Sequence, residues 1–235
     1  MTHRRTGIQD TCWNAFMTVG SIFTENDIPF CPTTANKIPE RIITYKEARE
    51  LYNKKLKSGD KDFHDDAFVC FYEDDQDFDS TCGIWFRSKK ACRILDHFAG
   101  IITPDFSTYQ DFPEPLKLWN TYRMRAFGYW YGAIRKKNVI NNVRWGTQET
   151  YYYCFSGIPK NSIVAIGTVG GSPRKLIDRR RFEEGLDKLV EVLAPHIILV
   201  YGSANYPCFD RLKEQGITII SYPSKTCRAY AEVKE

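Results

Sequence analysis

Four short polar turns carry the residues best suited to chemistry, and each directly follows an apolar run of strand length. Thr103-Pro104-Asp105-Phe106-Ser107 offers Asp105 as a general base, a metal ligand or a partner for an arginine. An Asx-type turn or a helix cap is the commoner use of such a residue. Asn142-Val143-Arg144-Trp145-Gly146 places an arginine and an indole at a strand end. There Arg144 can clamp a phosphate or carboxylate with two parallel N–H donors, while Trp145 can stack on a base; the structural alternative pairs Arg144 with Asp105 or Glu149. Gly167-Thr168-Val169-Gly170-Gly171-Ser172-Pro173 lets the backbone approach an anion ahead of a helix N-terminus. It is neither Gly-x-Gly-x-x-Gly nor Walker A, because no Gly-Lys-Ser/Thr follows. Arg174, Lys175, Arg179, Arg180 and Arg181 favour the anion, whereas Asp178 as a cap, with Glu183 and Glu184, answers the same charges structurally. The fourth turn is Val200-Tyr201-Gly202-Ser203, where Gly202 permits tight turning and Ser203 can cap the next helix.

Other features carry weaker signals. Asn120 and Arg123 lie at i, i+3 on an expected helix, facing either a ligand or a neighbouring strand. Glu73-Asp74-Asp75-Gln76-Asp77 follows an expected strand and reads first as a solvated loop. As a magnesium cluster it needs convergence with Asp105. His3, His64, His97 and His196 form no His-x-x-x-His pair, the eight cysteines form no Cys-x-x-Cys, and no Gly-x-Ser-x-Gly elbow is present. The sequence singles out no metal site, cofactor or oligomeric state.

Composition bounds the class. A net charge of +4 is far from that of a protein that coats DNA. Met1 to Gln9 lacks an apolar h-region, and no stretch approaches the ~18 apolar residues of a membrane span. The expectation is a cytoplasmic protein with reduced cysteines.

These turns need a scaffold that brings strand ends together. Apolar runs appear at Ala67–Tyr72, Gly100–Thr103, Val139–Trp145, Ile163–Thr168, His196–Tyr201 and Ile217–Tyr222. Helical spacing falls between several of them, over Pro115–Ile134, Arg179–Leu193 and Phe209–Gln215. Continuous apolar strands alternating with helices predict a mostly parallel α/β sheet of about six strands with covering helices. An open doubly wound sheet and an incomplete β/α barrel both fit. Residues 67–235 form this domain, and 1–66 read as an irregular segment packing on it. That segment holds one helix, Tyr45–Lys57, opened by a Thr44/Glu47 capping box. In either architecture, sites gather at the carboxyl ends of the strands.

An ordered series of motifs resembles a known family. Phe71-Tyr72-Glu73-Asp74-Asp75, Ile102-Thr103-Pro104-Asp105-Phe106-Ser107, Leu118-Trp119-Asn120-Thr121-Tyr122-Arg123, Asn142-Val143-Arg144-Trp145-Gly146, Gly157-Ile158-Pro159-Lys160 and Val200-Tyr201-Gly202-Ser203 carry it. Over roughly residues 67 to 223 the chain is similar to domain-of-unknown-function family four-four-one-seven. The resemblance implies a bacterial, phage or mobile-element protein in a bacterial or phage-infected cytosol. It implies no reaction and assigns no catalytic residue.

The resulting expectation is a protein that binds, and can process, a phosphate-bearing ligand such as a nucleotide or nucleic-acid end. Arg144 and Gly170-Gly171-Ser172 hold the phosphate, and Asp105 serves as base or metal ligand. Asn120 and Arg123 orient the ligand, Trp145 stacks on it, and Asn142, Thr168, Tyr201 and Ser203 complete the site. Two alternatives stand beside it. One is non-catalytic nucleic-acid binding through the basic run at 174–181 and Arg135-Lys136-Lys137. The other is a phage accessory protein that sequesters a host protein or a nucleotide signal.

Overall fold

A computed structural model describes residues 13–169 and 176–232. Seven strands form one wholly parallel sheet: β1 (Ile42–Thr44), β2 (Asp65–Cys70), β3 (Phe98–Ile102), β4 (Val139–Asn142), β5 (Ile163–Gly167), β6 (Ile197–Tyr201) and β7 (Thr218–Tyr222). Eight α-helices lie among the described residues: α1 (Tyr45–Lys57), α2 (Asp75–Phe78), α3 (Ser88–Leu95), α4 (Glu114–Tyr129), α5 (Tyr151–Cys154), α6 (Leu176–Leu193), α7 (Pro207–Glu214) and α8 (Lys225–Glu232). Helix α4 continues into a π-helical turn at Trp130–Ile134.

Strand order equals chain order throughout. A doubly wound sheet needs a point where that order reverses, and this one has none. Right-handed crossovers then put the helices on one side, and the sheet curls as an incomplete β/α barrel. Alternate strand residues separate accordingly. Phe68, Cys70, Tyr72, Ile102, Ile140, Ala165, Leu199 and Tyr201 fill the concave side. Val69, Phe71, Ile101, Val143, Val164, Ile166, Ile198 and Val200 pack with helix residues on the convex side. Burial on both faces is why the strands read as continuous apolar runs. The two sheet edges are bridged by side chains. Tyr222 Oη donates to Pro39 O at 2.5 Å, and Arg228 of α8 pairs with Glu47 of α1 at 2.7 Å.

Six strands lie where the apolar runs place them. The seventh, β1, is three residues long, too short to show a period, and it passes into α1 without a loop. The capping box is present: Thr44 Oγ1 accepts from Glu47 N, and Glu47 Oε2 accepts from Thr44 N. The N-terminus of α1 is thereby held at the carboxyl end of the sheet.

Helix α4 lies deeply buried, with Lys117, Asn120, Arg123 and Arg125 all under 9% exposed. Gly128 permits this, since a Cβ there would sit 2.4 Å from Thr103 Cγ2 and 2.6 Å from Cys31 Sγ.

Candidate functional site

The carboxyl ends of the strands border a cleft of two chambers. The larger, about 970 Å³, includes Thr108, Arg144, Trp145, Thr168, Arg181 and Ser203 in its wall. The smaller, about 330 Å³, includes Lys46, Glu73, Asp74, Asp77, Asp105 and Tyr201. Tyr109, Arg144, Val169, Ser224 and Thr226 border both, so the chambers adjoin there.

Arg144 stands at that junction. Its Nη2 lies 3.3 Å from Asp105 Oδ2, and its side chain is 25% exposed against 6% for Asp105. The other carboxylate oxygen of Asp105 accepts from Asn142 Nδ2 at 2.9 Å, and Asn142 Oδ1 accepts from Tyr72 Oη at 2.9 Å. Hydrogen bonds thus run Tyr72–Asn142–Asp105, and an ion pair continues them to Arg144. Burial pushes the Asp105 carboxyl above its ordinary range, opposed by the Arg144 charge and the Asn142 bond. Asn142 is itself fixed from behind, its N–H donating to Thr103 Oγ1 and its carbonyl accepting from Arg125 Nη1. It therefore supports the site without bordering the cleft.

Tyr72 stacks on Tyr201, with ring centroids 5.4 Å apart and planes at 20°. Gly167 makes room for this stack, since a Cβ there would lie 2.6 Å from Tyr72 Cδ1. Gly167→Val is expected to lower stability by about 1–3 kcal/mol through overpacking. An unchanged urea midpoint would contradict that placement.

The acidic run after β2 is tied down, which corrects the expectation of a solvated loop. Glu73 accepts from Lys46 N in the first turn of α1 at 3.1 and 3.3 Å. Asp77 pairs with Lys46 Nζ at 3.1 Å, and Asp75 accepts from Ser107 Oγ at 2.8 Å. Polar turns from neighbouring strands supply these partners, which a one-dimensional charge run does not reveal. Among the described residues, no group of three or more His, Cys, Asp or Glu side chains converges as a metal site would require.

Burial raises the Glu73 carboxyl from 4.5 to about 7, against the Thr44 and Lys46 hydrogen bonds. A folded-state value above the unfolded one means that the folded protein keeps a proton the unfolded chain has lost. Stability then falls as pH rises between those values, by on the order of 2–3 kcal/mol. Glu73→Gln is expected to match wild type in urea unfolding at pH 5 and to exceed it at pH 8. A variant midpoint no higher than wild type at pH 8 would contradict this.

Several expected ligand contacts are engaged elsewhere. Arg123 is held bidentately by Asp79 at 2.7 and 2.8 Å, and its guanidinium lies 3.8 Å from the Phe106 ring centroid. Asn120 donates to Ser107 O and accepts from Arg123 Nη2. Both brace the Asp105–Ser107 turn from the helix side and do not border the cleft. Trp145 borders the large chamber, but its indole is half-buried, packing into the Gly185 notch of α6 and 5.3 Å from Phe182. Thr168 Oγ1 donates to Ser203 O, and Ser203 Oγ accepts from Asn205 N, closing a turn short of α7. Gly202 has φ +115°, and a Cβ there would meet Thr168 Oγ1 at 2.4 Å, so the turn requires glycine. Gly170, Gly171 and Ser172, with Arg174 and Lys175, lie outside the described residues.

The basic runs stand at opposite ends of the sheet. Arg179–Arg181 lie on α6, after the carboxyl end of β5, whereas Arg135–Lys137 precede β4. Arg135 and Lys137 both pair with Asp96, at 2.6 and 3.5 Å.

Other bordering residues were not anticipated: Lys46, Tyr72, Tyr109, and the Ser224-Lys225-Thr226 start of α8. The last had a readable signal. Pro223 and Ser224 follow β7, and Ser224 Oγ accepts from Cys227 N as a helix cap, the same kind of turn read after four other strands.

The family model described as "Domain of unknown function (DUF4417)" matches residues 22–223. Two phage proteins, each named "Gene 1 protein", from Mycobacterium phage D29 and Mycobacterium phage L5, are 33% identical over 141 residues. The match covers 60% of this chain and 50% and 58% of theirs, so the chain spans about half the length of these relatives. No solved structure matches the chain.

Proposed function

The chain belongs to this family, described as a domain of unknown function, so its role must be read from the cleft, and we propose that the cleft binds a phosphate-bearing ligand, a nucleotide or nucleic-acid end. The observation that carries this reading is Arg144, aimed by the buried Asp105 and bordering both chambers. A guanidinium held on one side by a carboxylate keeps N–H donors for a second anion, and its fork geometry suits phosphate. Three further features support it. Arg181 borders the large chamber and donates to the neutral Gln110 Oε1. The N-terminus of α8, with its partial positive charge, borders both chambers. The Thr108 hydroxyl, in the wall of the large chamber, is buried and has no hydrogen-bond partner among the described residues.

In this proposal the half-exposed Tyr109 ring takes the stacking role first given to Trp145. Asp105 orients Arg144 and is the candidate base for hydrolysis or transfer. Nucleic-acid binding through both basic runs is the weaker reading, since those runs lie at opposite ends of the sheet and Asp96 neutralises part of one.

Native mass spectrometry of gently purified protein, followed by denaturation and identification of released material, tests the proposal. A phosphate-bearing adduct that is absent from Arg144→Ala is expected. Its recovery intact or converted after incubation separates sequestration from catalysis. Adducts retained in full by Arg144→Ala would overturn the assignment.

A further inference from the structure

The two chambers differ in chemistry and meet at one guanidinium. Rings and cations predominate in the wall of the large one, with Phe182, Tyr206 and Tyr230 beside Arg144 and Arg181 and a single carboxylate, Asp178. Its buried Thr108 hydroxyl, 8% exposed, lacks a partner among the described residues. The small chamber carries four carboxylates, Glu73, Asp74, Asp77 and Asp105. Lys46 neutralises Asp77, Arg144 neutralises Asp105, and Lys225 also borders this chamber. Both Glu73 oxygens accept from the single Lys46 N–H, and Asp74 is exposed.

A phosphate at Arg144 therefore faces different surroundings on its two sides. An aromatic chamber of about 970 Å³ accommodates a nucleoside. A chamber of about 330 Å³ with both carboxylates and an ammonium in its wall suits the hydroxyls of a neutral group, which donate short charge-assisted bonds to carboxylate and accept from ammonium.

Resting on the reading of Arg144 as the phosphate ligand, we propose that the ligand is a phosphate substituted on both sides: a nucleoside diphosphate carrying a sugar, its nucleoside in the large chamber and its sugar hydroxyls on Glu73 and Asp74. Single-ended nucleotides fill one chamber and leave the other to solvent.

Calorimetric titration of the full chain at pH 8, where Glu73 is ionised, with matched pairs tests this: ADP against ADP-ribose, UDP against UDP-glucose, and GDP against GDP-mannose. In at least one pair the sugar-bearing member is expected to bind about tenfold tighter. Glu73→Gln and Asp74→Asn should each bring that ratio close to unity. Asp74 is exposed, so its variant remains informative if Glu73→Gln disturbs folding. Equal affinities in every pair, or a ratio unmoved by both variants, would overturn the inference. If the unsubstituted nucleotides bind and depend on Arg144, only this inference falls; if no member of any pair binds, the phosphate reading falls with it.

Discussion

Arg125→Ala is expected to destabilise the fold by about 3–5 kcal/mol, read as a large drop in the urea midpoint or as failure to fold. Arg125 is fully buried on α4. Its Nε donates to Ser156 O at 3.2 Å, Nη1 to Asn142 O at 3.0 Å and Nη2 to Cys154 O at 3.1 Å. Burial lowers its pKa to about 10, so it stays protonated at neutral pH. The nearby Cys31 and Cys154 thiols are pushed up to about 12 and remain neutral there. Carbonyl dipoles therefore balance the charge, two of them at the C-terminal end of α5, where a cation is favoured.

Truncation opens a cavity and strands the buried Asn142 and Cys154 carbonyls and the part-buried Ser156 carbonyl. Arg125→Met separates these effects, since it restores much of the volume but none of the donors. Arg125→Lys keeps the charge and loses the planar fork, so an intermediate midpoint is expected. The loss also reaches the cleft, because the Asn142 carbonyl that Arg125 holds belongs to the residue that positions Asp105. A wild-type midpoint for Arg125→Ala would show that these carbonyls find other partners.

Arg144→Ala is expected to weaken binding of the phosphate-bearing ligand by at least about a hundredfold while leaving the protein folded. Charge-assisted hydrogen bonds contribute roughly 1.5–3 kcal/mol each, and about 2.7 kcal/mol corresponds to a hundredfold change in affinity. Partial exposure of the Arg144 side chain limits the folding cost. Once unpaired, Asp105 takes up a proton more readily, which relieves the stranded charge. Arg144→Lys retains a point charge without the fork, so about a tenfold loss is expected. Asp105→Asn should weaken binding less than Arg144→Ala, because the arginine remains but is aimed less firmly.

Much of the scaffold was legible because both strand faces are buried, which leaves long apolar runs, and because α1 carries its own capping box. β1 was not legible: three residues cannot display a period, and its pairing with β2 is a tertiary fact. The turns after β3, β4, β5 and β6 were correctly singled out as strand ends, and Asp105, Arg144, Trp145, Thr168, Tyr201 and Ser203 all border the cleft. Roles within those turns were harder to read. Spacing along α4 puts Asn120 and Arg123 on one face but cannot say that Asp79, 44 residues earlier, captures that face. Glycine at 185 hides the notch that holds Trp145, because its partner lies on another crossover helix. Lys46 and Glu73 join the site across 27 residues, through a helix start that follows a strand without a loop.

Calorimetric titration of wild-type and Arg144→Ala protein with nucleoside mono-, di- and triphosphates and a 5′-phosphorylated oligonucleotide tests the central claim most directly. Near 0.1 M salt, screening removes weak long-range attraction. The expected result is saturable binding of at least one of these ligands to wild type, weakened at least about a hundredfold in a variant with an unchanged unfolding midpoint. Equal affinity for both proteins, or no binding to wild type, would contradict it.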